Sequence, residues 1–114
     1  MSFLRKEEHG SQVTDLLKFH QAVIPAICVF ELLAGIKSPM HLHQRQQLLS
    51  LAEIIPMDRK IAETAAELFT TMQSKGKIID NEDLIVAATA LSLKLPVLTT
   101  NKRHFSFIPG IQVL

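Results

Sequence analysis

An α/β sandwich built on a parallel sheet is the fold this sequence predicts. Three observations lead there: short apolar runs of strand character alternate with helix-period segments, one helix is apolar on nearly every face, and turn residues separate them. A chain of 114 residues, 47% apolar and 20% charged, can bury a core without disulfide or metal staples. Residues 1–114 show no internal repeat and no Gly/Ser/Pro-rich linker, so they read as a single domain.

Each element has a local reason. Gly10 and Ser11 precede QVTDLLKFH, where Val13, Leu16, Leu17 and His20 recur at helical spacing; AVIPAI then has the short apolar character of a strand. VFELLAGI, Val29 to Ile36, reads as a helix that stops near Gly35. After Ser38 and Pro39, HLHQRQQLLSLA reads as the next helix. EIIPM is a strand, because Ile54 and Ile55 stand between Glu53 and Pro56 over too few residues for a helix. Asp58 is the expected N-cap of a helix in which Ile61, Ala65, Leu68, Phe69 and Met72 share one face until Gly76 closes it. Asn81 is the expected N-cap of EDLIVAATALSLKL, whose nearly uniform apolar character makes it central and covered. PVLTT is a strand, NKRHF its exit loop, IPG a turn and IQVL the last strand.

The totals also narrow the function classes. A formal net charge of +1 excludes a uniformly basic nucleic-acid wrapper but allows a local basic patch beside an acidic one. Cys28 is the single cysteine and cannot form an internal disulfide, no charged-then-apolar leader opens the chain, and no apolar run reaches the ~18 residues of a membrane span. The expectation is a cytoplasmic protein with no membrane attachment.

In open parallel sheets, sites gather beyond the carboxyl ends of the strands. Three polar groups fall there: Glu31 in the first turn after AVIPAI, Asp83 in the first turn of the apolar helix, and Asn101 to His104 at the exit of PVLTT. Converging carboxylates make a negative pocket that suits magnesium, which takes hard oxygen ligands and keeps several waters, one able to attack a phosphodiester. The plain alternative is that acids in first helical turns only answer the helix dipole, worth roughly 0.3–1 kcal/mol each. Asp80 and Glu82 read as solvated or capping groups, or as auxiliary ligands. His41 and His43, two apart, cannot form an i, i+4 metal pair on a helix. Glu63 and Glu67 belong to a wet helix face, and Cys28, with no activating partner, reads as a small buried residue. Lys102 and Arg103 form a short basic cluster, either a phosphate contact or an exposed loop.

FELLAGI, DLIVAATAL, PVLTTNKRHF and IPGIQVL, in this order from about Val23 to Leu114, resemble the PIN domain of VapC-like toxins. The resemblance implies a three-layer sandwich with a central, mainly parallel sheet. It implies a magnesium- or manganese-dependent endoribonuclease that acts on RNA, pairs with a cognate antitoxin and forms a homodimer. Its metal-site residues carry onto Glu31 and Asp83, its TxN motif onto Thr99 and Asn101, and the position of its final acidic residue onto His104. Asn101 and His104 are then expected to position water or phosphate.

Two departures stand out. Cys28 occupies the place, three residues before the helix glutamate, where the family carries Thr or Ser, which weakens the capping box. The family also opens with a strand ending in Asp-Thr or Asp-Ser ahead of a helix like MSFLRKEE. On that pattern the first central strand and its aspartate are missing here, and the expected chain is an N-terminally truncated domain with impaired cleavage. The alternative is an inactive module that keeps only its antitoxin-binding or dimerisation surface.

Overall fold

The computed structural model of the chain describes residues 2–5, 22–99 and 101–114. Strands β1 (Ser2–Arg5), β2 (Ala22–Pro25), β3 (Glu53–Ile55) and β4 (Val97–Thr99) form a sheet in the order β3-β2-β1-β4. Helices α1 (Ala26–Leu33), α2 (Pro39–Leu49), α3 (Arg59–Ser74), α4 (Asn81–Leu93) and α5 (Lys102–Ser106) complete the described elements. The helix expected over QVTDLLKFH lies outside the described residues.

β2 and β3 pair in parallel, Val23 opposite Glu53 and Pro25 opposite Ile55. β1 is antiparallel to both β2 and β4, so those two strands run the same way, and a parallel bridge joins Val97 to Val113. The sheet is therefore mainly parallel, as expected, with one reversed strand at its centre. Val23 and Ile24 are both buried. Successive strand residues face opposite sides, so both faces of β2 are covered, which is the burial of a three-layer α/β sandwich. One core joins Val23, Ile24 and Val97 of the sheet to Ile61, Leu68, Met72, Leu84, Val86 and Phe105 of the helices.

The reversed strand differs from the sequence expectation, which put a helix at MSFLRKEE and left the central position vacant. Two facing strand edges in a covered sheet leave backbone N–H and C=O groups without water, and any extended segment that reaches them is stabilised by pairing. Ser2–Arg5 does so, with Leu4 opposite Val23 on one side and Val97 on the other. It restores the ladder, yet Ser-Phe-Leu-Arg brings no carboxylate.

The other boundaries follow local chemistry. Asp58 caps α3, its Oδ1 accepting from the Ile61 N–H at 2.8 Å, and Gly76, at φ 71°, adopts the left-handed turn that ends the helix at little steric cost. α3 buries Ile61, Leu68 and Met72, while Phe69, expected on that face, is 47% exposed. α4 is central as expected, burying Leu84, Val86, Ala87, Ala88, Thr89 and Ala90. Its N-cap is Asp80 rather than Asn81, and Asp80 makes no side-chain capping bond. NKRHF is a loop only at its start: α5 forms because Phe105, fully buried, anchors it to the core. IQVL contributes a single bridge, with the Val97 N–H donating to the Gln112 carbonyl at 2.9 Å. Among the described residues no helix is long and apolar enough to cross a membrane.

Candidate functional site

Three chain segments meet beyond the carboxyl ends of β2 and β4. Pro25 ends β2 and is the N-cap of α1, so that helix begins at Ala26, earlier than the sequence reading placed it. Glu31 consequently lies in the second turn of α1 rather than the first. Asp83 is the third residue of α4, inside its first turn as expected, with Glu82 beside it. α1 packs against α4, and α5 packs against α4 as well.

The electrostatics record the meeting. Glu31 keeps an exposed surface, yet its carboxyl is pushed above the usual carboxylate range. Loss of water on its protein side is the first cause, and the charges of Glu82 and Asp83 add to it. Cys28, buried one helical turn before Glu31, has its thiol pushed up to about 12 by burial first, then by Glu31, Asp83 and Glu82. At neutral pH it stays a thiol and is no nucleophile, in accord with its reading as a packing residue. Among the described residues neither Lys nor Arg pairs with Glu31 or Glu82.

His104, on α5, reaches Asp83: its Nδ1 lies 2.9 Å from Asp83 Oδ2. An ionised carboxylate only accepts, so Nδ1 carries the proton and the outer nitrogen is left for other partners. The Asp83 side chain is 19% exposed and that of His104 48%, so the pair is reached by solvent mainly from the His104 side. The TxN segment has its own local logic. The Asn101 N–H donates to Thr99 Oγ1 at 3.0 Å, and the Asn101 carbonyl accepts from the His104 N–H at 3.0 Å. Thr99 thus turns the chain out of β4, and Asn101 sets the start of α5 on which His104 rides. The Asn101, Lys102 and Arg103 side chains are exposed.

The structure brings Glu31, Asp83 and His104 to one end of the sheet. It places Glu82, read from sequence as a solvated or capping group or an auxiliary ligand, near enough that its charge acts on Glu31 more strongly than that of Asp83. Among the described residues no three His, Cys, Asp or Glu side chains form a metal-ligand cluster. The donor set nonetheless fits a hard divalent cation. Among the described residues Glu31 and Glu82 have no Lys or Arg partner, and magnesium is satisfied by one or two carboxylates plus water.

Comparison with known proteins adds the following. The model of the PIN domain matches residues 1–109. Ribonuclease VapC1 of Methanocaldococcus jannaschii is 31% identical over 86 residues, covering 72% of this chain and 60% of that protein. The chain thus spans less than two thirds of that relative's length. Ribonuclease VapC of Rickettsia bellii is 31% identical over 103 residues, covering 84% of this chain and 77% of that protein. Among solved structures, VapBC2 from Rickettsia felis bound to a DNA fragment from their promoter is similar, with a TM-score of 0.70 and 31% identity over 81% of this chain and 72% of that one.

Proposed function

Since this chain belongs to the PIN-domain family, we propose that it is a metal-dependent endoribonuclease, the toxin of a toxin–antitoxin pair. The observation that carries this is the convergence of Glu31, Glu82 and Asp83 at the end of the sheet, with His104 bonded to Asp83. The names of the relatives, ribonucleases and a toxin–antitoxin complex, support the same reading.

Glu31 and Asp83 would hold magnesium or manganese, and the bound ion supplies a polarised phosphate oxygen and a water of lowered pKa. The chain's own residues do the rest. His104, fixed through Nδ1, offers its outer nitrogen to a phosphate oxygen or to water. Asn101, exposed at the exit of β4, offers amide donors to the same group. Lys102 and Arg103 attract the neighbouring phosphates. RNA is the substrate on this reading, and the cytoplasm the place of action. A cognate antitoxin and a second copy of the chain are the partners, for which the apolar groove containing Met57, Phe69 and Ile85 provides surface.

Cleavage by this chain is slow on this reading, because β1 completes the sheet without a carboxylate and, among the described residues, the site relies on those of α1 and α4. The second reading, a non-catalytic module that retains its partner surface, is favoured by the lack of a three-ligand cluster among the described residues. Incubating the protein with single-stranded RNA in magnesium, manganese or chelator decides between them. Cleavage that needs the ion and disappears in Asp83→Asn supports the ribonuclease; no cleavage with either ion supports the module.

A further inference from the structure

Beside the Asp83–His104 pair lies a cleft of about 210 Å³, walled by Lys77, Ile78, Asp80, Arg103, His104 and Phe107. We infer that it receives one unstacked base of a single-stranded RNA, adjacent to the phosphodiester at the site. This rests on the ribonuclease reading and deepens it by assigning a base contact.

Four observations carry the assignment. His104 is at once a wall of the cleft and the partner of Asp83, so a group seated in the cleft abuts the site. Phe107 is 49% exposed and Ile78 100% exposed; Phe105 already anchors α5, so the Phe107 ring is not needed for the core and presents a flat apolar surface to solvent. The volume is below the roughly 300–1,000 Å³ that encloses a drug-sized molecule, which suits a single ring system. Finally, Lys77 Nζ stands 4.2 Å from the Phe107 ring centroid and Arg103 is another wall of the cleft, so the cleft carries positive charge suited to the phosphates that flank a splayed base.

Recognition of single-stranded RNA combines these parts: an aromatic platform on which a base stacks and cations that follow the backbone.

The test measures binding of short, labelled single-stranded RNA of mixed sequence by anisotropy in chelator, where no cleavage occurs, and maps cut sites after adding manganese. Phe107→Leu, which keeps apolar bulk but removes the π face, should weaken binding about tenfold, while Phe107→Trp should bind at least as well as the unaltered protein. If Phe107→Leu binds and cuts as the unaltered protein does, the base subsite is wrong and the ribonuclease reading stands. If Phe107→Leu loses a protein partner and no RNA affinity, the cleft is a protein contact and the inference falls. If the unaltered protein neither binds nor cuts RNA, both fall together.

Discussion

His104 Nδ1 and Asp83 Oδ2 lie 2.9 Å apart although 21 residues separate them in sequence. The bond joins α5, which leaves the end of β4, to the first turn of α4, and it fixes both the orientation of the imidazole and one oxygen of the carboxylate. Asp83→Asn should abolish metal-dependent RNA cleavage, and His104→Ala should lower it by about ten- to a hundredfold. Neither change should cost more than about 1 kcal/mol of stability, since a solvated pair contributes little. Gel assays of cleavage beside thermal melts check both halves; a large loss of Tm in His104→Ala would make the pair structural.

Glu31 yields a pH prediction. Its carboxyl pKa is raised in the folded chain, so the folded state binds the proton more tightly than the unfolded state does. Stability is therefore lost as pH rises from the ordinary glutamate value of about 4.3 through the raised one, and stays lost at neutral pH. Glu31→Gln should raise the Tm at pH 7 by roughly 1–3 °C, a small gain because the carboxyl is solvent-screened, and the gain should vanish by about pH 3.5. Melts across pH 3–8 read it directly.

Helix capping separates two residues that look alike in sequence. Asp58→Ala removes an acceptor from the Ile61 N–H and should cost about 1 kcal/mol, with Asp58→Ser recovering most of it. Asn81→Ala should be nearly neutral, because Asn81 is the first residue of α4 and not its cap. Denaturant titration of the three variants distinguishes these outcomes.

The backbone of β1 can be tested without altering the site. Leu4 lies opposite Val23 and Val97 at once, and proline there removes a ladder donor from a strand with neighbours on both sides. Leu4→Pro should lower the Tm by roughly 5–10 °C, whereas Leu4→Val, which keeps the N–H, should change it far less.

Legibility followed the range of the interactions involved. Asp58, EIIPM and the buried helix DLIVAATAL could be read because a cap, a short bracketed run and an all-round apolar pattern are local signals. Asp80 and Asn81 are both good cap types, and the backbone of the preceding loop chose between them. Phe69 sits at helical spacing with the core residues but is exposed, since spacing names a face and not how far the neighbouring helix covers it. Five residues of NKRHFS carry too little pattern to announce a helix; burial of Phe105 makes it one. The charge of Glu82 on Glu31 depends on how α1 meets α4, which no single segment encodes. β1 was the least legible: its four residues have no pattern of their own, and the facing edges of β2 and β4 decide their conformation.

That strand also sets the order in which the molecule can assemble. β2 and β3 are joined through α1 and α2, and β4 meets the segment around Val113 soon after it forms, so each half of the sheet can form without the other. Among the described strands β1 joins the two halves of the sheet, and Phe3 finds Leu98 across most of the sequence. Contacts of such separation carry the largest loop-closure entropy and form late. On a ribosome the edge of β1 that faces β4 must wait, its pairing groups unfilled until Val97–Thr99 emerges, while its other edge can already pair with β2.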